Sequence, residues 1–351
     1  MNILMDLSHP AHFHLLRNTY FEAKKEGHNV YITVKDEPSI INLLNNYNIK
    51  YTLLSKKVDS LIYKGLKQIV YNYKLWKFVK DKHIILGFCS SFTMTQIAPF
   101  SKMDAILLDD DDDEVEPLVA KFGHPLAKFV LSPDCVKRKT KKLVVYNGYH
   151  ELAYLHPNRF TPDEKVLSDF GLNKDDVYFV LRFNAFKAHH DAGINGISLD
   201  DKRKLIKLLE KKGKVLISTE RVIDEEFKKY QISIPSEKIH SILYFATMFI
   251  GDSQTMTSEA AVLGTPSIRC NSFVGRISYL EEQEHKYGLT YGFKPNNAEK
   301  MFEKIEQLLS LPNLKKDWVK RREIMLADKM DVTSFFVNFI NKYPNQIINK
   351  M

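Results

Sequence analysis

Short runs of aliphatic and β-branched residues alternate along the chain with longer segments in which apolar positions recur at helical spacing. In the first half these runs are NILMD, VYITV, KYTLL, HIILGF, DAILLD and KFVLSP. Runs of this length are typical of buried strands, and the segments between them are typical of amphipathic helices. Six strands with intervening helices predict a doubly wound parallel sheet.

The alternation stops at residues 146–164, YNGYHELAYLHPNRFTPDE, which are rich in aromatic residues, His and Pro without a clear period. We interpret this segment as an interdomain linker. A second strand–helix series follows, with the runs VYFVLRF, KVLIST, MFIGD, PSIRC and LTYGF. We therefore expect an α/β protein with two tandem Rossmann-like domains, residues 1–155 and 156–330. A helix in 331–351 is a candidate to cross back to the first domain.

The composition limits the class of protein. Of the 351 residues, 44% are hydrophobic and 27% charged, which excludes a fibre, a coiled coil or an extensively disordered chain. Cys89, Cys135 and Cys270 form no CxxC pair, as expected in a reducing compartment. The amino terminus lacks the apolar core of a signal peptide, and apolar stretches such as 242–251 are shorter than the roughly 18 residues that span a bilayer. We therefore expect a cytoplasmic protein.

The excess of basic residues is modest and partly local. The chain has 51 Lys and Arg against 43 Asp and Glu, a formal net charge of +8. Residues 61–83 carry six Lys against one Asp, interleaved with Trp76 and Phe78. Such a segment is typical either of a helix packed on the core with its Lys side chains extended into water, or of a helix in peripheral contact with an anionic membrane. Nucleic-acid binding is not expected, because the basic residues are dispersed and no known binding motif occurs.

One loop has the chemistry of an anion site. In GDSQTMTSEAAVLGTPSIR, residues 251–269, an apolar run ends at Gly251, a polar turn follows, and a helix begins near Thr255 and ends at Gly264. Free N–H groups at a helix start, beside small hydroxyl side chains, favour a diphosphate. Glu259 lies about one turn into the helix, where its carboxylate can accept hydrogen bonds from a ribose diol. The alternative is local, since Ser and Thr before a helix are caps and Glu in the first turn is electrostatically favoured.

The loop after the first strand, DLSHPAH at residues 6–12, is the second candidate. A base that activates an acceptor hydroxyl needs a pKa near neutrality, so His9 and His12 are candidates, with structural roles equally open. A metal site is not expected, because no set of Cys or carboxylates completes the His ligands. Asp109 and Asp110 end another predicted strand, where the first carboxylates of an acidic run can orient a His or hold a sugar hydroxyl.

Three motifs carry a resemblance to a known family. MDLSHPAHFH at 5–14, YNGYHELAYLHPNRFTPD at 146–163 and TMTSEAAVLGTP at 255–266 resemble the domain-of-unknown-function family 354. The loop at 251–269 also resembles the nucleotide-sugar loop of the GT-B superfamily, which includes glycosyltransferases and the non-hydrolysing UDP-GlcNAc 2-epimerases. The resemblance implies a GT-B fold with the active cleft between two domains.

The resemblance also implies roles for particular residues. Arg182 is expected to neutralise the diphosphate, and Glu259 to bind the ribose. The nucleotide-sugar contacts expected in full are Arg182, Asn184, Ser253, Gln254, Thr255, Met256, Thr257 and Glu259. The catalytic candidates are His9, His12 and Asp110. Further side chains expected to line the cleft are Ser8, Ser90, Ser91, Asp109, His150, Glu151, His189 and His190.

Two positions favour glycosyl transfer over epimerisation. The 2-epimerases carry an acid/base Asp in an HGDT sequence, where this chain has GFCS at 87–90, and their paired carboxylates reduce here to Ser258 and Glu259. We therefore expect a metal-independent glycosyltransferase that transfers a sugar from a nucleotide-sugar, with UDP as the nucleotide, to a surface-glycan or lipid-linked acceptor. The nucleotide-sugar is a co-substrate, and no cofactor is expected. The alternatives are a nucleotide-sugar 2-epimerase and a noncatalytic nucleotide-sugar or glycan-binding module.

Overall fold

A computed structural model describes residues 1–55, 61–183, 196–219 and 223–344, and the side chains within these ranges except those of 61–67. The contacts divide the chain into two compact units. The first domain is formed by residues 1–159 together with the chain from 329 onward, and the second by residues 160–328. No helix within the described ranges is long and apolar enough to cross a membrane.

The first domain is built on a parallel sheet of seven described strands. They are β1 (Asn2–Leu7), β2 (Asn29–Lys35), β3 (Thr52–Ser55), β4 (Leu86–Cys89), β5 (Asp104–Leu108), β6 (Phe129–Pro133) and β7 (Leu143–Tyr146). The helices before the domain boundary are α1 (Pro10–Lys25), α2 (Pro38–Asn46), α3 (Leu61–Asp81), α4 (Thr93–Ile97), α5 (Pro117–Phe122) and α6 (Leu152–Leu155). A short 3₁₀ turn, Ala98–Phe100, follows α4.

The strand order of this sheet is β3-β2-β1-β4-β5-β6-β7, so the direction of winding reverses between β1 and β4. Ile3 of β1 pairs with Val30 on one side and with Leu86 on the other. In doubly wound sheets, ligands bind outside the carboxyl ends of the strands at this reversal. The loops after β1 and β4 therefore lie where a ligand is expected.

One strand of the first domain is absent from the prediction. The run LVVY of β7 pairs with β6 at the sheet edge, where Val145 is half exposed. An edge strand is only partly buried, so its apolar run is short and is flanked here by Lys142 and Asn147. Because polar residues flank this short run, the sequence alone does not indicate a strand here.

The interpretation of 146–164 as a linker is wrong for its first ten residues. Tyr146 ends β7, and Tyr149, Leu152 and Leu155 are buried in the first domain. The segment shows no period because α6 is a single turn, too short for helical spacing to appear. Its aromatic and aliphatic residues are part of the core.

The second domain repeats the architecture with six described strands, all parallel. They are β8 (Tyr178–Arg182), β9 (Lys214–Ser218), β10 (Gln231–Ile232), β11 (Met248–Gly251), β12 (Ser267–Cys270) and β13 (Thr290–Phe293). The helices are α7 (Lys165–Ser168), α8 (Leu199–Leu209), α9 (Ile239–Phe245), α10 (Gln254–Leu263), α11 (Ser278–His285), α12 (Ala298–Leu309) and α13 (Leu314–Asp328). The order is β10-β9-β8-β11-β12-β13, which reverses between β8 and β11. The predicted pair of Rossmann-like parallel-sheet domains is confirmed.

The last described helix, α14 (Val332–Lys342), packs within the first domain against α1 and α6. The Thr333 hydroxyl donates to the Ala153 carbonyl at 2.7 Å. Phe336 is fully buried, with its ring centroid 5.3 Å from that of Phe88 on β4. A segment from the far end of the sequence therefore completes the core of the first domain.

Candidate functional site

The transition from β1 to α1 carries His9 and His12. His9 is exposed, and its Nδ1 accepts the Ala11 N–H at 3.2 Å, so the imidazole caps the amino terminus of α1. His12 lies in the first turn, where its Nδ1 is 3.4 Å from the Ser8 hydroxyl. The two imidazole centroids are 6.1 Å apart.

The environment of His12 disfavours its protonated form. Burial lowers the pKa of the His12 imidazole to about 3, and the neighbouring His9 and His150 add to this effect. His12 is therefore neutral near pH 7. A neutral imidazole can accept or donate a hydrogen bond, but a group with so low a pKa is a weak general base.

Asp110, just after β5, contacts a second predicted residue, His150. Its Oδ1 lies 3.0 Å from Nδ1 of His150 in the loop before α6. Burial raises the pKa of the Asp110 carboxyl, but the neighbouring His150 and Arg138 outweigh this effect and hold the pKa below its usual value. The carboxylate is thus ionised at neutral pH and accepts the Nδ1–H of His150.

The opposite nitrogen of His150 has no hydrogen-bond partner within the described residues, and it is buried. The ring lies nearly parallel to that of Tyr146, at 12° and with centroids 6.4 Å apart. Leaving such a nitrogen buried and unpaired costs about 1–3 kcal/mol. A ligand hydroxyl that donated to Nε2 would recover this free energy.

Asp109 is held in a different network from that of Asp110. Its Oδ2 lies 2.7 Å from His124 Nε2 and 2.8 Å from Arg138 Nη1. Arg138 has a fully buried side chain that also binds Asp113 and donates from Nε to the Ser132 hydroxyl at 2.8 Å. Asp109 is buried among these groups and contacts a His, which is one of the two roles expected of it.

The remaining cleft candidates of the first domain are Ser90, Ser91 and Glu151. Ser90 and Ser91 follow β4 and are partly exposed, and the Ser91 hydroxyl donates to Thr93 Oγ1 at 3.0 Å. Glu151 is buried at the start of α6. Of the predicted residues, the structure brings His12 close to Ser8 and His9, and within electrostatic reach of the Asp110–His150 pair.

In the second domain the loop after β11 leads directly into α10. Ser253 is the N-cap, and its hydroxyl accepts the Met256 N–H at 3.4 Å. The helix ends at Gly264 with φ +78°, a left-handed conformation in which glycine avoids the strain of a side chain. Gln254 and Thr255 are partly exposed in the first turn, as are Ser253 and Met256. This helix start has the form of an anion site.

Thr257 is one turn further and does not share this exposure. It is fully buried, and its hydroxyl donates to the Ser253 carbonyl at 2.6 Å. Ser258 is also fully buried and accepts a hydrogen bond from Gln283 Nε2 at 2.7 Å. The side chains available at the loop surface are therefore those of residues 253–256.

Glu259 faces the adjacent helix. Its Oε1 lies 3.0 Å from Nε2 of His240 in the first turn of α9, and both side chains are buried. The ring of Phe160 packs edge-on against His240, with centroids 6.1 Å apart. Glu259, the residue expected to bind the ribose, therefore already has a hydrogen-bond partner in the protein.

Arg182 ends β8, beside β11 at the reversal of strand order. Its Nη1 donates to the Ser218 carbonyl at 3.0 Å, which fixes the guanidinium near the carboxyl end of β9. Gly251 lies opposite in the register, and a Cβ there would stand 2.4 Å from the Arg182 carbonyl oxygen. Asn184, His189 and His190 lie outside the described residues.

The sequence is similar to those of a known protein family. The model of the family described as "Protein of unknown function (DUF354)" matches residues 1–287. The chain belongs to this family. An uncharacterised protein of Methanocaldococcus jannaschii is 23% identical over 310 residues, covering 81% of this chain and 86% of the relative.

The fold of this DUF354 protein is shared with UDP-GlcNAc 2-epimerases and glycosyltransferases. A UDP-GlcNAc 2-epimerase from Neisseria meningitidis, solved bound to UDP-GlcNAc, matches with a TM-score of 0.67 and 11% identity, covering 97% of this chain and 100% of the other. The spinosyn forosaminyltransferase SpnP matches with a TM-score of 0.65 and 13% identity, covering 97% and 99%. Other neighbours are also 2-epimerases and glycosyltransferases. The resemblance to the family and to the GT-B fold is confirmed.

Several residues that contact the candidate site residues are not predicted from the sequence. His240 and Tyr146 contact predicted residues, and His124 and Arg138 hold Asp109. For His124, Arg138 and His240 no local spacing indicates the contact, because the partner lies 15 or more positions away. Tyr146 lies only four residues before His150, in a segment without a clear period. Arg138 lies in a basic run, KRKTKK, in which a single fully buried guanidinium cannot be told from its exposed neighbours.

Proposed function

We propose that this protein is a metal-independent glycosyltransferase that uses a nucleotide-sugar, with UDP as the nucleotide, and a surface-glycan or lipid-linked acceptor. Neighbours of the same fold include enzymes named for glycosyl transfer and for UDP-GlcNAc epimerisation. The observation that carries the proposal is the pair formed by Asp110 and His150, an oriented imidazole at the carboxyl edge of the first sheet.

The donor is proposed to bind to the second domain. The partly exposed start of α10 supplies N–H groups and the positive end of its dipole to the diphosphate. Arg182, at the same sheet edge, adds a cation that neutralises the leaving group. The carboxylate of Glu259 is assigned to the ribose, with His240 fixing its orientation.

The acceptor is proposed to meet the first domain, with His150 as the general base. Asp110 holds the proton on Nδ1, which leaves a lone pair on Nε2. As the acceptor oxygen bonds to the anomeric carbon, its proton passes to Nε2, while the bond to the diphosphate breaks and its electron pair stays on the nucleotide. This assignment moves the base from His9 and His12, because His9 caps a helix and the pKa of His12 is too low.

Epimerisation is the alternative supported by the fold. At the end of β4 and in the loop after it this chain has Cys89, Ser90 and Ser91 instead of a carboxylate, and Ser258 is bound to Gln283 inside the domain. An epimerase removes and returns a proton on a sugar carbon and so needs acid and base groups on both faces. Transfer needs one base at the acceptor, which the Asp110–His150 pair supplies.

The decisive experiment measures release of UDP from a panel of UDP-sugars, with and without glycan or lipid-linked acceptors. We expect acceptor-dependent release that persists in EDTA. His150→Gln and Asp110→Asn should each lower kcat by about 10²-fold or more, whereas His9→Gln should leave kcat within a few-fold. Release that needs a divalent cation would contradict metal independence, and full activity of His150→Gln would contradict the assigned base.

The alternative functions predict different experimental results. Incorporation of deuterium from solvent into the sugar of a bound nucleotide-sugar, without an acceptor, would indicate an epimerase. Binding of UDP with neither release nor exchange across the panel would indicate a noncatalytic binding module. If calorimetry found no nucleotide bound at all, the donor site proposed on the second domain would be wrong.

A further inference from the structure

The outer face of α3 exposes apolar side chains that the core does not need. Ile69 is 67% exposed, Val70 52% and Tyr73 61%. The opposite face of the helix packs into the core of the first domain through Tyr71, Leu75 and Val79. Within residues 68–81, core packing therefore does not explain the exposed Ile69, Val70 and Tyr73.

A second segment extends this face. Phe100, in the 3₁₀ turn after α4, is 75% exposed. Trp76 of α3 donates its indole N–H to the Phe100 carbonyl at 2.7 Å, and its ring lies 5.9 Å from that of Tyr73. These contacts join the exposed Phe to the helix. We refer to the exposed Ile69, Val70, Tyr73 and Phe100, together with the half-buried Trp76 that links them, as the α3 patch.

The charged side chains that border the α3 patch within the described residues are mainly lysines. Lys74, Lys77 and Lys80 are exposed on the same helix, and Lys102 is exposed two residues after Phe100. The Lys80 ammonium lies 4.5 Å from the Trp76 ring centroid, at the border of the patch. Asp81 is the single acidic residue in the sequence of α3. An apolar patch bordered by lysines is complementary to a surface with negative charge outside and hydrocarbon below it.

We propose that the α3 patch docks this protein on an anionic phospholipid bilayer. The Trp and Tyr rings suit the headgroup level, where one edge of the ring is apolar and the other polar. Ile69, Val70 and Phe100 enter the acyl boundary, while the lysine stems lie along it with their ammonium groups at the lipid phosphates. Contiguous exposed apolar side chains of this kind mark an interaction surface rather than ordinary surface variation. The proposal is independent of the chemistry proposed above.

The test is co-sedimentation of the full chain with vesicles of phosphatidylcholine alone or mixed in equal parts with phosphatidylglycerol. We expect binding to the anionic vesicles only, weakened by salt. The double variant Ile69→Ser/Phe100→Ser should bind at least tenfold more weakly. Its matched control is Ile324→Ser, because Ile324 on α13 is 63% exposed and lies in the second domain.

The charge contribution is tested separately. Lys77→Glu/Lys80→Glu should abolish binding, whereas Lys211→Glu/Lys212→Glu, with the same change of net charge at exposed residues of the second domain, should not. The chain has two Trp, and Trp318 is fully buried. A blue shift of Trp emission on adding anionic vesicles therefore reports Trp76 entering the interface.

Three outcomes would overturn the proposal. One is equal binding to neutral and anionic vesicles, or none to either. Another is a loss of binding that is the same in the patch variants and in their matched controls. The third is a wild-type dimer that dissociates in Ile69→Ser/Phe100→Ser without any vesicle binding, which would mean that a second copy of the chain covers the patch.

Discussion

Nε2 of His240 lies 3.0 Å from Oε1 of Glu259, and the two side chains are only 5% and 8% exposed. The contact joins the first turn of α9 to the first half of α10. It holds a carboxylate in a fixed orientation close to the helix start that we assign to the donor diphosphate. A carboxylate held in this way loses little conformational freedom when it accepts hydrogen bonds from a diol.

Glu259→Gln should weaken UDP binding strongly. The amide keeps the shape of the side chain but removes the charge, and hydrogen bonds to charged groups contribute about 1.5–3 kcal/mol. We expect Kd to rise roughly tenfold to a hundredfold in calorimetry. His240→Asn, which keeps the carboxylate, should have a smaller effect on Kd. If both variants lowered Tm and left Kd unchanged, Glu259 would have a structural role alone.

Asp111 should make the stability of the first domain depend on pH. Burial, and next the neighbouring Asp110, raise the pKa of the Asp111 carboxyl to about 8. Because the folded-state pKa is above the unfolded value, the associated stability is fully present below about pH 4 and is lost as pH rises through about 8. Asp111→Asn should therefore unfold at higher urea concentration than wild type at pH 9, and at a similar concentration at pH 4. The exposed Glu114→Gln is the control, and an equal pH dependence in Asp111→Asn and wild type would contradict the prediction.

Arg138→Met should be strongly destabilising without affecting the donor site. The substitution leaves Asp109 and Asp113 without the fully buried guanidinium that binds both, and breaking a buried ion pair on one side costs about 3–5 kcal/mol. Lys139→Met, at an exposed neighbour, should change the free energy of unfolding by less than about 0.5 kcal/mol. UDP affinity should stay at the wild-type value in both variants. A nearly neutral Arg138→Met would mean that the network around Asp109 adds little to stability.

The sequence predicts what is local and periodic. Buried strands, the β1–α1 transition with its His residues, and the cap at Ser253 all follow from residues close together in the chain, so the two parallel sheets could be predicted. Pairs such as Asp110 with His150, and Glu259 with His240, join different elements. No spacing rule gives these pairs, because the fold alone determines which strand end meets which loop.

The dependence on distant partners also explains why the linker prediction is wrong for residues 146–155. Aromatic residues in a one-turn helix and its flanking loops have no period, and the partners that bury them come from elsewhere. Tyr146 contacts Phe336, about 190 residues later, with ring centroids 5.7 Å apart. Without α14 in place, the apolar residues of 146–155 have no visible reason to be buried.

Phe336→Ala should therefore unfold the first domain selectively. Its ring is fully buried against Phe88 and Tyr146, and removing such a ring costs about 3–5 kcal/mol. In a Trp318→Phe background, emission from Trp76 reports the first domain alone. In a Trp76→Phe background, emission from Trp318 reports the second domain.

We expect Phe336→Ala to lower the urea midpoint of the Trp76 signal, while the midpoint of the Trp318 signal stays close to its value in the parent. Asn338→Ala, at an exposed position of α14, should move neither midpoint. Equal shifts of both signals would mean that the two domains unfold as one cooperative unit, and an unchanged Trp76 midpoint would mean that α14 adds little to the first domain.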